Sequence, residues 1–262
     1  MKIGYVNEGL CSPLIKENIW NLKSKYNCII RPGEISLIPT GFFFDLTNEF
    51  SISILSHPKM VMEEGLIVIN APGTVDSDFR GEVCGIVNNV SNATLSLSAG
   101  DVFALGILER VIQMKLETET RHLSIQAEQG AKIPSYQTSG SAGFDLAAFL
   151  EQELIIHPKE SKLVETGLQI KVPKGIHLQM RSRSGLSLKS GIVVLGAPIV
   201  ITEGEHVIVV PLYNSSDKPF LIRNEMRIAQ IVCIETIPFE CVANETLTVT
   251  GRGAQGFGST GV

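Results

Sequence analysis

The sequence predicts an all-β protein made of two tandem jelly-roll domains, and three observations lead there. Apolar residues recur with a period of two, glycine and proline punctuate these runs every ten residues or so, and the chain matches itself at an offset of 126 positions. The alternation is plain in "TGLQIKVP", where Leu168, Ile170 and Val172 alternate with Gln169 and Lys171. It recurs in "FSISIL", where Ile52 and Ile54 alternate with serines, and in "TLSLSAG". Such patterns give half-buried antiparallel strands. The self-match puts Pro32 on Pro158, Gly41 on Gly167, Ser56 on Ser182, Gly65 on Gly191 and Ala71-Pro72 on Ala197-Pro198. It runs ungapped for roughly forty residues; past a one-residue deletion, Asn89 falls on Asn214 and Ala104 on Ala229. Glycines and prolines matched in register with the hydrophobic pattern indicate an internal duplication.

The 262 residues suffice for two domains of ordinary size. Residues 1–118 are expected as the first domain, 119–130 as a connection, and 131–262 as the second domain, with 251–262 as a C-terminal tail. "PLIKENIWNLKSKY" has the spacing of a short helix, and "LGILERVIQMKLE" fits a short helix or a strand equally. "ETETRHLSIQAEQGAK" is polar and charged, as a connection would be. "TVTGRGAQGFGSTGV" carries too much glycine to pack as a strand and is expected to be a mobile tail.

Composition narrows the function classes. The net charge is −5 and no basic stripe is visible, which argues against a duplex-binding surface. A polyanionic ligand would have to be held by a few local arginines and backbone amides. No apolar run approaches the ~18 residues that cross a bilayer. The opening "MKIGYVNEGL" lacks the basic-then-apolar layout of a signal peptide, so an intracellular location is expected. The five cysteines are odd in number, dispersed and without a CxxC pair. That argues against a disulfide frame or zinc site and fits a reducing compartment.

Several short stretches carry candidate chemistry. In the tail, glycines let the backbone wrap closely round a ligand, Arg252 can pair with a phosphate, Phe257 offers a flat face to a base, and Ser259 and Thr260 can donate to phosphate oxygens. "SAGFDLAA" sets Asp145 after a tight turn, "MRSRSGLS" sets Arg183 and Ser184 at the end of an alternating strand, and "NEMRIAQIV" sets Arg227 and Gln230 inside an apolar run. "VINAPGTVDSDFRGE" (68–82) brings Asp76 and Asp78 to a glycine turn, whereas its copy "VLGAPIVITEGE" (194–205) has Thr202 in the place of Asp76. Taken singly, each of these also reads as an ordinary turn or an outward-facing residue.

In this order the stretches resemble the five motifs of the dUTPase family. "PSYQTSGSAGFDLAA" is similar to the first motif, "RSGLS" to the second, "GTVDSDFRGE" to the third, "MRIAQ" to the fourth and "RGAQGFGSTG" to the fifth. The third stands only in the first half and the other four only in the second. In the first half, Val102, Leu105, His57 and Pro58 occupy the places of Arg227, Gln230, Arg183 and Ser184. This division is similar to the herpesvirus-type dUTPases, in which one chain of about double length replaces the family's usual trimer. The resemblance therefore implies a monomer with one site, a viral source, and a place in the host nucleus or cytoplasm.

What it implies for chemistry is hydrolysis of dUTP to dUMP and pyrophosphate, with Asp76 as the base that orients the attacking water. Asn70, Gly73, Thr74, Phe79 and Phe257 are implied to hold uracil and deoxyribose. Arg183, Ser184, Gln230, Arg252, Ser259 and Thr260 are implied phosphate contacts, and Asp78, Asp145 and Arg227 supporting residues. The implied cofactor is Mg²⁺, held mainly by substrate phosphates and water, with Asp145 within reach of it through a water. Two positions depart from the family pattern: Phe79 stands where Tyr is common, and Gln255 where Gly is usual. Two other readings stay open on sequence, a catalytically inactive dUTPase-related interaction protein and a dCTP deaminase. The "VDSDFRGE" hairpin and the complete fifth motif fit the diphosphatase better.

Overall fold

The computed structural model describes residues 19–112 and 123–236, together with the backbone of 4–7. It is an antiparallel β structure with two hydrophobic cores. One is built around Leu22, Ile52, Val87 and Phe103, the other around Leu146, Ile170, Val210 and Ile231. The expected all-β, duplicated architecture is present.

The duplication is visible strand by strand. In the first half one sheet runs Ile19–Lys23, Val102–Arg110, Phe50–Ser56, Gly73–Val75. In the second half its counterpart runs Gly143–Ala147, Arg227–Glu235, Ile176–Arg181, Ile199–Ile201. The facing sheets correspond as well: Ile35–Pro39, Cys84–Asn89 and Leu66–Val68 against Ser161–Val172, Gly204–Asn214 and Ile192–Val194. Alternating side chains put one face of each strand into the core. Strand Ser161–Val172 buries Val164, Leu168, Ile170 and Val172 and turns its lysines outward.

Polar groups inside are satisfied in the same way twice. Asn89 donates its amide to the carbonyls of Ile30 and Ala93, and Asn214 does so to Ile156 and Lys218. Both asparagines are fully buried, so each replaces lost water contacts with backbone partners. The helical segment that follows strand Phe50–Ser56 is also repeated after strand Ile176–Arg181, as Met60–Glu64 and as Ser184–Ser190. Gly65 and Gly191 close these segments in the left-handed conformation.

Three local expectations change. The stretch expected as a helix at 13–26 is, over Ile19–Lys23, a strand. Trp20 pairs with Gly106 across it and fills the space that a side chain on Gly106 would need. Ser184 opens a helix instead of ending a strand, and of the two readings open for "LGILER" the strand is the one present, to Arg110. Within 119–130, Ser124–Ala127 is an edge strand paired with Ser161–Val172.

The halves meet through backbone as well as side chains. Val111 forms a bridge with Ile234, and the Ile112 amide donates to the Cys233 carbonyl at 3.1 Å.

Left-handed positions separate local strain from packing. Gly33 has φ 74° with open space where a Cβ would stand, and its counterpart Lys159 adopts φ 61° with a side chain. Gly167 has φ 64°, but a Cβ there would lie 2.7 Å from the Cβ of Ala131 and 2.8 Å from the Phe149 ring. Gly33→Ala is expected to cost about 1 kcal/mol, the left-handed penalty alone. Gly167→Ala is expected to cost more than about 2 kcal/mol, since overpacking adds to it. Urea unfolding of the two variants side by side checks this; equal midpoints would contradict it.

Candidate functional site

The third-motif hairpin of the first half stands against the first-motif turn of the second. Strand Leu66–Val68 leads through Asn70 and the Ala71-Pro72 turn into strand Gly73–Val75, and Asp76 follows directly. Asn70 is buried and folds back beneath the turn, with its amide 3.0 Å from where a Cβ on Gly73 would be. Ser77 is buried too. Its amide and its hydroxyl both donate to the Gly140 carbonyl, at 3.1 and 2.8 Å. Gly140 cannot carry a side chain, because a Cβ would fall 2.4 Å from the Cβ of Asp78. Two residues on, the Ala142 amide donates to Asp76 Oδ1 at 2.8 Å. Asp78 and Phe79 are exposed at the hairpin tip.

Asp76 is thus half-buried and oriented by a fixed backbone donor. Burial pushes its carboxyl above the usual carboxylate range, and the neighbouring charges of Asp78 and Asp145 push the same way. The Ala142 hydrogen bond opposes them.

A cleft of about 370 Å³ opens beside Asp76. Its first-half walls are Asn70, Gly73, Thr74, Val75 and Phe79, with Leu37, Val83, Cys84 and Ile86 behind them. Ser184, Gly185 and Leu188 of the second-half helix complete it. Apolar walls with a few convergent polar groups suit a flat heterocycle. Burial raises the Cys84 thiol to about 11, so this cysteine is a neutral wall and not a nucleophile near pH 7.

Next to the cleft, Asp145 gathers two arginines. Arg183 Nε donates to Oδ1 at 2.9 Å and Arg227 NH1 donates to Oδ2 at 3.0 Å. Arg183 also caps the Arg227 carbonyl at 3.0 Å. Gln230 lies directly across from Asp145 in the sheet, and its amide nitrogen donates to the Ser182 carbonyl. Two cations against one carboxylate leave the cluster positive, as an anion site requires. Among the described residues no group of three His, Cys, Asp or Glu side chains stands together to hold a metal. With both oxygens of Asp145 taken by guanidinium groups, this donor set suits contact with a hydrated ion and not an inner ligand cage.

The structure therefore brings together Asn70, Gly73, Thr74, Asp76, Phe79 and Ser184 round one cleft, with Asp145, Arg183, Arg227 and Gln230 beside it. Arg252, Phe257, Ser259, Thr260 and Gln255 lie outside the described residues. No motif singles out Gly140 and Ala142, which act through backbone groups, Ser77, which acts through its amide and hydroxyl, or Arg181. The small-residue run "SGSAG" was the available signal for the first two.

A larger cavity, about 470 Å³, lies in the first half and is lined by Asn21, His57 and Val102. By strand register these are the places of Asp145, Arg183 and Arg227. The acid and both arginines are gone there, and burial with nearby Lys59 holds His57 below the usual imidazole range. The first-half position thus lacks the paired arginines, and the cations on its walls are Lys23 and Lys59, beside the acids Glu64 and Asp101.

Comparison with known proteins adds the following. The dUTPase family profile matches twice, over residues 15–131 and 129–261. Deoxyuridine 5'-triphosphate nucleotidohydrolase of Treponema denticola is 45% identical over 136 residues, 52% of this chain and 94% of that protein. The Nautilia profundicola protein of the same name is 46% identical over 134 residues, 51% of this chain and 93% of that one. Among solved structures, a Staphylococcus bacteriophage 80alpha dUTPase with dUPNHPP aligns with TM-score 0.49 and 23% identity, over 55% of this chain and 100% of that chain.

Asp76 gives a stability prediction with a definite sign. A carboxyl whose folded pKa is raised binds its proton more tightly folded than unfolded. Its contribution is favourable below the unfolded value near 3.8 and is lost as pH rises through the higher folded value. At about pH 7 the native chain carries the whole penalty. Asp76→Asn, which keeps an acceptor for Ala142, is expected to raise the thermal midpoint at about pH 7 and to leave it little changed near pH 3. A pH series of melting curves for both proteins checks this.

Proposed function

The chain belongs to the dUTPase family, and on that premise we propose that it hydrolyses dUTP to dUMP and pyrophosphate in the cleft between its two halves. The observation that carries this reading is the setting of Asp76. It is a half-buried carboxylate, aimed by the Ala142 amide, between an apolar cleft and a two-arginine cluster.

In this reading the hairpin from Asn70 to Thr74 binds uracil largely through backbone groups, and its tight packing rejects a methyl at C5 by overlap. The Phe79 ring packs under the deoxyribose and excludes a 2′-hydroxyl; lacking the phenol of the usual Tyr, it does so by shape alone. Arg183 and Ser184 meet the phosphates with Gln230, while Arg227 braces Asp145. Arg252, Ser259 and Thr260 complete the phosphate contacts, and Phe257 stacks on the base. Asp76 accepts a proton from water as the water oxygen bonds to the α-phosphorus in line with the departing group. The bond from the α-phosphorus to the bridging oxygen breaks, and pyrophosphate leaves with that oxygen. Bound Mg²⁺ would supply neutralisation of charge on the phosphates, and Asp145 is the side chain that would help hold it, through a water. A raised pKa makes Asp76 a stronger base once ionised, at the expense of activity in acid.

Asp76→Asn is expected to lower kcat by ~10²–10⁴ while dUTP affinity stays within a few-fold, because size and charge at the phosphate side are otherwise kept. The wild-type acid limb should lie above the ordinary Asp value of 3.8. Pyrophosphate release from dUTP, with dCTP, dTTP and UTP alongside, is the assay; normal turnover by the variant would overturn the assignment of Asp76.

One motif set per chain supports a monomer with a single site. Sedimentation equilibrium is expected to give a mass near 28.4 kDa and titration one nucleotide per chain. A species three times heavier binding three nucleotides would contradict it.

A further inference from the structure

Arg181 is fully buried at the seam between the halves. Its NH1 donates to Ser53 Oγ at 2.9 Å and to Thr74 Oγ1 at 3.3 Å, and its NH2 donates to Glu109 Oε2 at 2.8 Å. Its Nε donates to Gln179 Oε1 at 3.0 Å. Three of these four partners belong to the first half. Ser53 pairs with Thr74 across the strands, and its hydroxyl donates onward to Glu109. The guanidinium therefore holds adjacent strands of the other half in one planar fork.

Its place in the chain gives the contact leverage. Arg181 ends strand Ile176–Arg181, two residues before Arg183, and Thr74 stands two residues before Asp76. The contact thus joins the strand that runs to the phosphate side with the strand that runs to the carboxylate. It is not inherited from both copies. The counterparts of Arg181, Glu109 and Thr74 are Leu55, Ile234 and Val200, all apolar.

We infer that Arg181 is a positioning residue for the reaction, holding the Asp76 hairpin at the distance and angle from Arg183 and Ser184 that an in-line water needs. This rests on the reading of the cleft as a dUTP hydrolysis site. The hairpin carries both base recognition and the carboxylate, while the second half carries the phosphate contacts. Each set stays intact when Arg181 is lost; only their relation changes. Such misalignment lowers kcat with little effect on the binding of a nucleotide, because a displacement of about 1 Å in a reacting group costs ~10²-fold in rate.

The decisive test separates stability from alignment. Arg181→Met leaves Glu109 without its cation and is expected to lower the melting temperature. The double variant Arg181→Met/Glu109→Leu removes both charges, and an apolar pair there restores stability. We expect it to melt near the wild type, to bind dUMP within about threefold of it, and to hydrolyse dUTP with kcat lower by at least about tenfold. Arg181→Lys keeps the charge facing Glu109 but cannot span Ser53 and Thr74 together; it is expected to fold normally and also to lose kcat. Recovery of kcat with stability in the double variant, or full kcat in the lysine variant, would overturn the role and leave the function standing. A wild-type chain that leaves dUTP intact would instead overturn the function, and this role with it.

Discussion

The hydrogen bond from the Ala142 amide to Asp76 Oδ1 joins the two halves, and the site depends on it. Neither half holds a whole set of groups. The first supplies a hairpin with an acid and an apolar cleft, and the second an arginine pair round Asp145. Chemistry between them needs one relative placement, held to within tenths of an ångström. Backbone donors and acceptors suit that task because they carry no rotamer freedom. Ser77 and Gly140 form the second rivet two residues away, and the absent side chain of Gly140 lets the hairpin approach. The same closeness draws Asp76 out of water. Positioning and perturbed ionisation therefore have one cause, and folding stability at neutral pH is given up for it.

Much of this was legible in the sequence because it was written twice. The offset of 126 says that the halves share one arrangement, since two matched copies of an alternating pattern form two copies of one sheet; the strand order itself is set by long-range pairing. Asp76 and Asp145 could be named because acids beside tight turns stand out. Less legible was anything decided by long-range pairing. Ile19–Lys23 has helix-compatible spacing and becomes a strand because Val102–Arg110 offers it a partner and Gly106 a seat for Trp20. Continued through "MRSR", the alternation would put Arg181 and Arg183 on one strand face and gives no reason to bury one and leave the other partly exposed, but the strand ends at Arg181. Their difference comes from the other half, which brings Glu109 and Ser53 to Arg181 alone.

The first-half cavity makes the same point from the other side. The corresponding strands frame it, while Asn21, His57 and Val102 stand at the positions of Asp145, Arg183 and Arg227. The frame outlasts the chemistry there because the sheet that forms it is also the core of the domain. Replacing Trp20 or Phe103 would unfold the half, whereas replacing an arginine at the rim costs the fold little.

The seam at Arg181 also discriminates between ways of assembling such halves. If two first halves met through this surface, Glu109 would be buried against Leu55 with no cation to face it. If two second halves met, Arg181 would be buried against Ile234. Either like-with-like union strands a charge in an apolar contact, at a cost of about 3–5 kcal/mol for each one. Only the unlike pair neutralises both. The device works here because the acid and the arginine each survive on one half alone, their counterparts being Ile234 and Leu55. The chain thus has a polarity, a lock on one half and its key on the other, that turns each half away from its own kind and towards its complement.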